Sequence, residues 1–150
     1  MKTIARLVLA LTLLSTPSFA ADLVNVSGAS HVAIEGYDPV AFFTDARPVK
    51  GSPSISAMHQ GAVYFFASED HKQLFTVNPD KYLPQYGGFC AFAVSRDALA
   101  PVDISTWQIR NGKLYLNFDN DILKKFNADI DGNVAKADAN WPGLVKKNGR

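Results

Sequence analysis

The chain has 150 residues, and its 15 Lys and Arg nearly balance its 14 Asp and Glu, which leaves a formal net charge of +1. This length corresponds to one domain, and the near-neutral charge argues against nucleic acid as a partner, because phosphate binding needs a clustered basic surface. The one cysteine excludes a disulfide bond within the chain.

The first 20 residues have the pattern of a secretory signal. Lys2 and Arg6 precede the apolar run from Leu7 to Leu14, and Ser18-Phe19-Ala20 places small residues where a signal peptidase reads them. The apolar run is shorter than the roughly 20 residues that cross a bilayer. We therefore predict a mature protein without a membrane span that is periplasmic or, alternatively, secreted.

The predicted plan of the chain has three parts. They are a signal peptide over residues 1–20, an α+β domain over 21–145 and a flexible tail over 146–150. Removal of the signal takes away two positive charges and changes the formal charge from +1 to −1.

The first predicted elements of the mature chain are a short strand over Ser30–Ile34 and a short helix over Val40–Phe43. Asp38-Pro39 is typical of a helix start, because Asp accepts from free backbone N–H groups and Pro suits the first turn. A loop is predicted from Thr44 to Ser56.

Two later segments repeat one order of hairpin and helix. The first has strands Ile55–His59 and Ala62–Phe66 joined by Gln60-Gly61, and a helix that begins after Ser68. The corresponding parts of the second are Trp107–Arg110, Asn111-Gly112, Lys113–Asn117 and a helix capped by Asp119. The segments lie 51 residues apart, and either an ancient duplication or the shared physics of hairpins and caps explains the repeat.

The stretch between these segments concentrates turn residues around the cysteine. Pro79, Pro84 and Gly87-Gly88 predict a shaped turn. The apolar run Phe89–Phe92 then predicts a buried strand, with Cys90 pointing into a core or a pocket.

A last small helix is predicted over Gly132–Ala139, closed before Trp141-Pro142, with Trp141 as an anchor for the C-terminal segment. The predicted fold is α+β, a single small domain of antiparallel β-hairpins covered by short helices. Its expected shared core comprises Tyr64, Phe66, Phe75, Phe92, Trp107, Leu114, Leu116 and Phe126.

Four motifs resemble those of exported bacterial YHS-domain proteins. They are Gly36-Tyr-Asp-Pro-Val-Ala-Phe-Phe43, Val63-Tyr-Phe-Phe-Ala-Ser68, Asn78-Pro-Asp-Lys-Tyr82 and Tyr86-Gly-Gly-Phe-Cys-Ala91. Related small domains bind metal through several cysteines, so the resemblance implies metal binding. This chain differs from those domains, because it has one cysteine and cannot form a site with several thiolates.

Cys90 and His71 are the predicted metal ligands, for a copper or zinc ion, because thiolate and imidazole both suit these metals. The alternatives are a buried structural Cys90 and a solvent-facing His71. The residues predicted to frame a small-ligand cleft are Tyr37, Asp38, Tyr82, Tyr86, Gly87 and Gly88. For Tyr37 and Asp38 the alternative is that they serve only packing and capping.

The predicted function is a periplasmic small-ligand or metal-ion binding module of the YHS-like type. The alternative is a non-catalytic interaction or structural domain with Cys90 in the core and a periplasmic protein partner. An enzyme is the third choice, because it requires a reactive Cys90 with a lowered pKa and no hydrolase or cofactor motif surrounds that residue.

Overall fold

The computed structural model describes residues 22–149, so the predicted signal peptide lies outside the described residues. The predicted α+β fold is confirmed: short helices pack on two separate β-sheets in one small domain. The strands are β1 (Val26–Ser27), β2 (Val32–Ala33), β3 (Ser52–His59), β4 (Ala62–Phe66), β5 (Asp103–Arg110) and β6 (Lys113–Asn117). The helices are α1 (Ala41–Thr44), α2 (Glu69–Val77), α3 (Pro79–Tyr82), α4 (Ala91–Val94), α5 (Asn120–Ala128) and α6 (Ile130–Asn148).

Strands β1 to β4 form one sheet in the order β1-β2-β4-β3, and β5 pairs with β6 alone. Among the pairs of these six strands, β2–β4 is parallel and the others are antiparallel, and Pro84 makes an isolated parallel bridge to Leu114 of β6. Strand β3 begins within the segment that was predicted to be a loop. It lies at the edge of its sheet and has a register shift between Ser52 and Ser56, so it tolerates Pro53, which cannot donate a backbone hydrogen bond.

Both predicted hairpins form, and both have two turn residues with positive φ. The φ angles are 48° and 72° at Gln60-Gly61 and 51° and 72° at Asn111-Gly112, which suits the right-handed twist of the flanking strands. Each following helix has its predicted cap. The Ser68 Oγ accepts from the His71 N–H at 3.1 Å, and the Asp119 Oδ1 accepts from the Ile122 N–H at 2.7 Å.

We call residues 52–77 the first unit and residues 103–128 the second unit. Every strand and helix of the second unit has the length of its counterpart in the first and lies 51 residues later. The repeat seen in the sequence is therefore a repeat of complete elements.

The expected single core is divided into two clusters. The first contains Tyr64, Phe66, Phe75, Leu114 and Leu116, with Trp107 packed against it. The second contains Phe126, Tyr86, Tyr115, Ala137 and Leu144, with Phe92 and Trp141 packed against it. Successive side chains of a strand point to opposite faces, so β6 contributes Leu114 and Leu116 to one cluster and Tyr115 to the other.

The segment Phe89–Phe92 is not the predicted strand, because α4 begins at Ala91 and Cys90 is its N-cap residue. A short apolar run does not distinguish a buried strand from a buried helix. Here the Cys90 N–H donates to the Ala100 carbonyl at 3.0 Å, while the next residues make helical bonds.

The last helix is longer than predicted, since α6 continues through Pro142 to Asn148 and includes the start of the predicted tail. Proline removes one helical hydrogen bond, but residues before and after Pro142 pack against the second cluster and stabilise the helix. Trp141 packs against Tyr86 and Phe89, and Leu144 is buried. Within residues 22–149, no helix is long and apolar enough to cross a membrane.

Candidate functional site

The most buried carboxylate of the described chain belongs to Asp38, whose side chain has 0% exposure. Its Oδ1 accepts from the Val40 N–H at 2.8 Å, and its Oδ2 accepts from the Ala67 N–H at 2.8 Å. These bonds hold the start of α1 against the end of β4. Buried polar groups need hydrogen-bond partners, and the two backbone N–H groups supply them to the Asp38 carboxyl group.

His71 lies in the first turn of α2 and completes the hydrogen bonding of Asp38. Its Nδ1 is 2.7 Å from the Asp38 Oδ2. The carboxylate is an acceptor, so Nδ1 carries the proton, and in a neutral ring Nε2 then has a free lone pair. Asp38 therefore fixes both the ring orientation and the nitrogen that can bind a ligand.

The Nε2 edge of His71 faces two side-chain oxygen atoms at the end of α1. It lies 3.3 Å from the Thr44 Oγ1 and 3.8 Å from the Asp45 Oδ1, and those two oxygens are 2.8 Å apart. The His71 side chain is 16% exposed, and Asp45 is 31% exposed. We call this group, Asp38, Thr44, Asp45 and His71, the His71 site.

The three outer donor atoms of the His71 site have the spacing of ligands around one ion. Atoms bonded to an ion at about 2.1 Å lie about 3.0 Å apart at octahedral angles and about 3.4 Å apart at tetrahedral angles. The observed separations of 2.8, 3.3 and 3.8 Å bracket these values. Among residues 22–149, no group of three or more His, Cys, Asp or Glu could hold a metal ion, and the third outer atom of the His71 site is the Thr44 hydroxyl oxygen.

Asp38, His71 and Thr44 also have the order of the carboxylate, base and nucleophile of a hydrolase. The position of Asp45 argues against that use. Its Oδ1 accepts from the Thr44 Oγ1 at 2.8 Å, next to the position where attack by this hydroxyl would develop negative charge. A carboxylate there repels an oxyanion and attracts a cation.

The structure does not bring Cys90 to the His71 site. Cys90 is 1% exposed, and its Sγ donates to the Asn117 Oδ1 at 3.7 Å. Asn117 is buried at the end of β6, where its Oδ1 also accepts from the Phe92 N–H. The buried structural cysteine that the sequence left open is therefore the arrangement observed, and the two predicted metal ligands have different surroundings.

The other predicted ligand residues divide between packing and a cleft. The Lys50 Nζ lies 4.0 Å from the ring centroid of Tyr37, and Tyr82 packs edge to face on Phe43. Gly88 faces Pro84 and Ile34, where an added Cβ would fit only tightly.

Tyr86 and Gly87 line a cleft of about 530 Å³ that we call the Tyr86 cleft. It lies between the segment 22–24, the turn that contains Tyr86, and α6. An added Cβ on Gly87 would lie 2.0 Å from the Leu23 carbonyl oxygen, so only glycine allows this close approach.

The comparisons with known proteins found no match. No family model matches the chain, and neither a curated protein nor a solved structure is detectably similar to it. The resemblance to YHS-domain proteins therefore stays a prediction.

Sequence reasoning missed Thr44 and Asp45, because they were assigned to the start of a loop. It named Asp38 both as a helix-start residue and as a residue that frames a ligand cleft, but it did not pair the carboxylate with His71. The available signal was Asp38 itself: a carboxylate directly before the apolar segment Pro39–Phe43 is placed at the edge of a core and needs partners there.

Proposed function

We propose that this protein is a periplasmic metal-ion binding module of the YHS-like type, and that the His71 site is where the ion binds. The observation that carries the proposal is the His71 ring, which Asp38 holds through Nδ1 while Nε2 faces Thr44 and Asp45. Histidines that bind metals typically donate their other ring N–H to a carboxylate.

The donor set favours Zn(II) or Cu(II) over Cu(I). An imidazole, a carboxylate and a hydroxyl are borderline to hard ligands, whereas Cu(I) prefers thiolate and thioether sulfur. Cys90 would supply such a sulfur, but its Sγ is buried beside Asn117. Water completes the coordination, because the donors are at the surface.

Titration calorimetry with Zn(II) and Cu(II) tests the proposal. His71→Asn removes Nε2, but the Asn amide can still donate to Asp38 from near the position of Nδ1. We expect this variant to bind the ion at least tenfold more weakly. His31→Asn is the matched control, because His31 is exposed with φ 52° and Asn tolerates that conformation.

Two further substitutions locate the remaining ligands. Asp45→Asn removes the charge nearest to Nε2 and should weaken binding about tenfold, whereas Asp70→Asn, on the exposed first turn of α2, should not. Cys90→Ser should leave the affinity unchanged. Wild-type protein that binds neither ion, or equal affinities for wild type and His71→Asn, would refute the metal site.

The second candidate function is a non-catalytic interaction domain. It is favoured by the burial of Cys90 and by the exposed face of α2, where Leu74 and Val77 are 43% and 79% exposed. A Val77→Asp substitution that abolishes capture of a specific periplasmic protein, with unchanged metal binding, would support this function.

A further inference from the structure

The Tyr86 cleft has a volume of about 530 Å³, within the range of roughly 300 to 1,000 Å³ that is usual for small-molecule sites. Three aromatic side chains line it, one from each surrounding part of the fold: Tyr64 from β4, Tyr86 from the turn, and Trp141 from α6. The cleft is therefore large enough for a small organic molecule and has walls suited to an apolar body.

The charges that line the cleft have one sign. Asp22, Asp80 and Asp138 are among its lining residues, and within the described chain no Lys, Arg or His lines it. Aromatic faces attract cations through their quadrupoles, and carboxylates attract them through charge. These two lining features favour the same class of ligand.

Tyr64 forms one wall of the cleft. It is 1% exposed and lines the cleft, and its hydroxyl is not among the buried polar atoms of residues 22–149 that lack a hydrogen-bond partner. Burial, and then the charge of Asp22, raise the pKa of this phenol, so it stays protonated. A protonated phenol is both a hydrogen-bond donor and an acceptor, so this wall is polar as well as aromatic.

The wall that contains Tyr86 is held in an uncommon conformation. Tyr86 has φ 55° and ψ 41°, in the left-handed region that is unfavourable for a residue with a Cβ. The Asn25 N–H donates to the Gly87 carbonyl at 2.8 Å, and the Tyr86 hydroxyl donates to the Asp138 Oδ1 at 2.9 Å. These bonds fix the aromatic ring beside a carboxylate before any ligand binds.

We propose that the Tyr86 cleft binds a small organic cation, in which an ammonium group lies against Asp138 and the aromatic walls and an apolar body fills the remaining volume. This site is separate from the His71 site and takes a different class of ligand.

Trp141 fluorescence provides a direct test in a Trp107→Phe background, because Trp107 belongs to the other cluster and the chain has two tryptophans. Choline is one probe, and its neutral analogue 3,3-dimethylbutan-1-ol is the matched control. Spermidine is the second cationic probe, since the cleft has three carboxylates. We expect choline or spermidine to bind at least tenfold more tightly than the neutral alcohol.

Asp138→Asn keeps an acceptor for the Tyr86 hydroxyl but removes the charge, so it should weaken cation binding at least fivefold. Asp131→Asn on the same helix should have no effect, because Asp131 pairs with Arg110. Thermal unfolding of both variants checks that they are folded, and His71→Asn should leave cation binding unchanged. Equal binding of choline, spermidine and the alcohol, no binding of any probe, or equal affinities for Asp138→Asn and Asp131→Asn would overturn the proposal.

Discussion

The first and second units have the same elements but different surroundings, and one position shows the difference clearly. His71 and Ile122 are counterparts 51 residues apart, and the backbone N–H of each donates to the cap residue of its helix. In the first unit this position meets the buried carboxylate of Asp38. The proposed metal site thus depends on Asp38, whose Oδ2 binds Ala67 and His71 beside the first unit only, although Phe42 in the same segment packs on Trp107 of the second unit.

The helices that follow the two units also differ. Asn78 and Asp129 have nearly the same backbone angles, with φ near −148° and −147°, and both start another helix. After Asn78 that helix ends at Tyr82, and Pro84 follows, whereas after Asp129 it continues as α6. The long helix supplies Asp138 and Trp141 to the Tyr86 cleft, so each candidate site depends on a feature that the repeat does not share.

The largest expected effect concerns Phe75 and Phe126, which are counterparts and are 2% and 0% exposed. Alanine at either position leaves a cavity and should lower the free energy of unfolding by about 3 to 5 kcal/mol. Urea unfolding should show one transition that both substitutions shift. Leu74→Ala, at an exposed position of α2, should cost less than about 1 kcal/mol. Two separate transitions, each shifted by one substitution, would show that the units fold independently.

Tyr64 and Tyr115 are also counterparts, and burial is the main cause that raises the pKa of each phenol. The unfolded phenol ionises near pH 10, below the folded pKa, so stability is complete below pH 10 and falls as the pH rises further. Tyr64 contributes a slope of up to about 1.4 kcal/mol per pH unit, and Tyr115 contributes in the same direction. Tyr64→Phe and Tyr115→Phe should each reduce the fall measured by urea unfolding between pH 10 and 12. A slope equal to that of wild type would contradict this cause.

Ser68→Ala and Asp119→Ala each remove a helix cap and should cost about 1 kcal/mol. The two substitutions should differ in metal binding. Ser68 accepts from the backbone of His71, so its loss should also weaken Zn(II) binding severalfold, whereas Asp119→Ala should not. Equal effects of the two substitutions on zinc affinity would show that zinc binding does not depend on the cap beside His71.

The smallest expected effect concerns the hairpin turns, in which Gln60 and Asn111 have φ 48° and 51°. Asn tolerates this conformation better than Gln. Gln60→Asn should therefore stabilise the protein by about 0.5 kcal/mol, and Asn111→Gln should destabilise it by a similar amount. Thermal unfolding measures both, and changes of the same sign would contradict the equivalence of the turns.

The parts that were predicted correctly from the sequence are those that local chemistry determines. Asn111-Gly112 and the caps Ser68 and Asp119 act on residues within a few positions, so their structural effect is visible in the chain. The division of the core into two clusters and the course of α6 past Pro142 depend on tertiary packing, which turn and cap residues do not reveal.

The His71 site was predictable only in part for the same reason. His71 and Asp38 were both singled out, but they are 33 residues apart in sequence, and no local pattern pairs them. Cys90 was paired with His71 because both are soft ligands. The start of α4 instead buries the Cys90 sulfur beside Asn117, whereas His71 lies in α2 and contacts Asp38.

The most direct test of the proposed metal site is a long-range ¹H–¹⁵N NMR spectrum of the three histidine rings during titration with Zn(II). Such a spectrum assigns the protonated nitrogen of each ring. We predict that His71 has its proton on Nδ1 and that zinc moves its Nε2 resonance strongly, with His31 and His59 unchanged. An unshifted His71 ring in zinc-saturated protein, or a proton on Nε2 without metal, would contradict the proposed site.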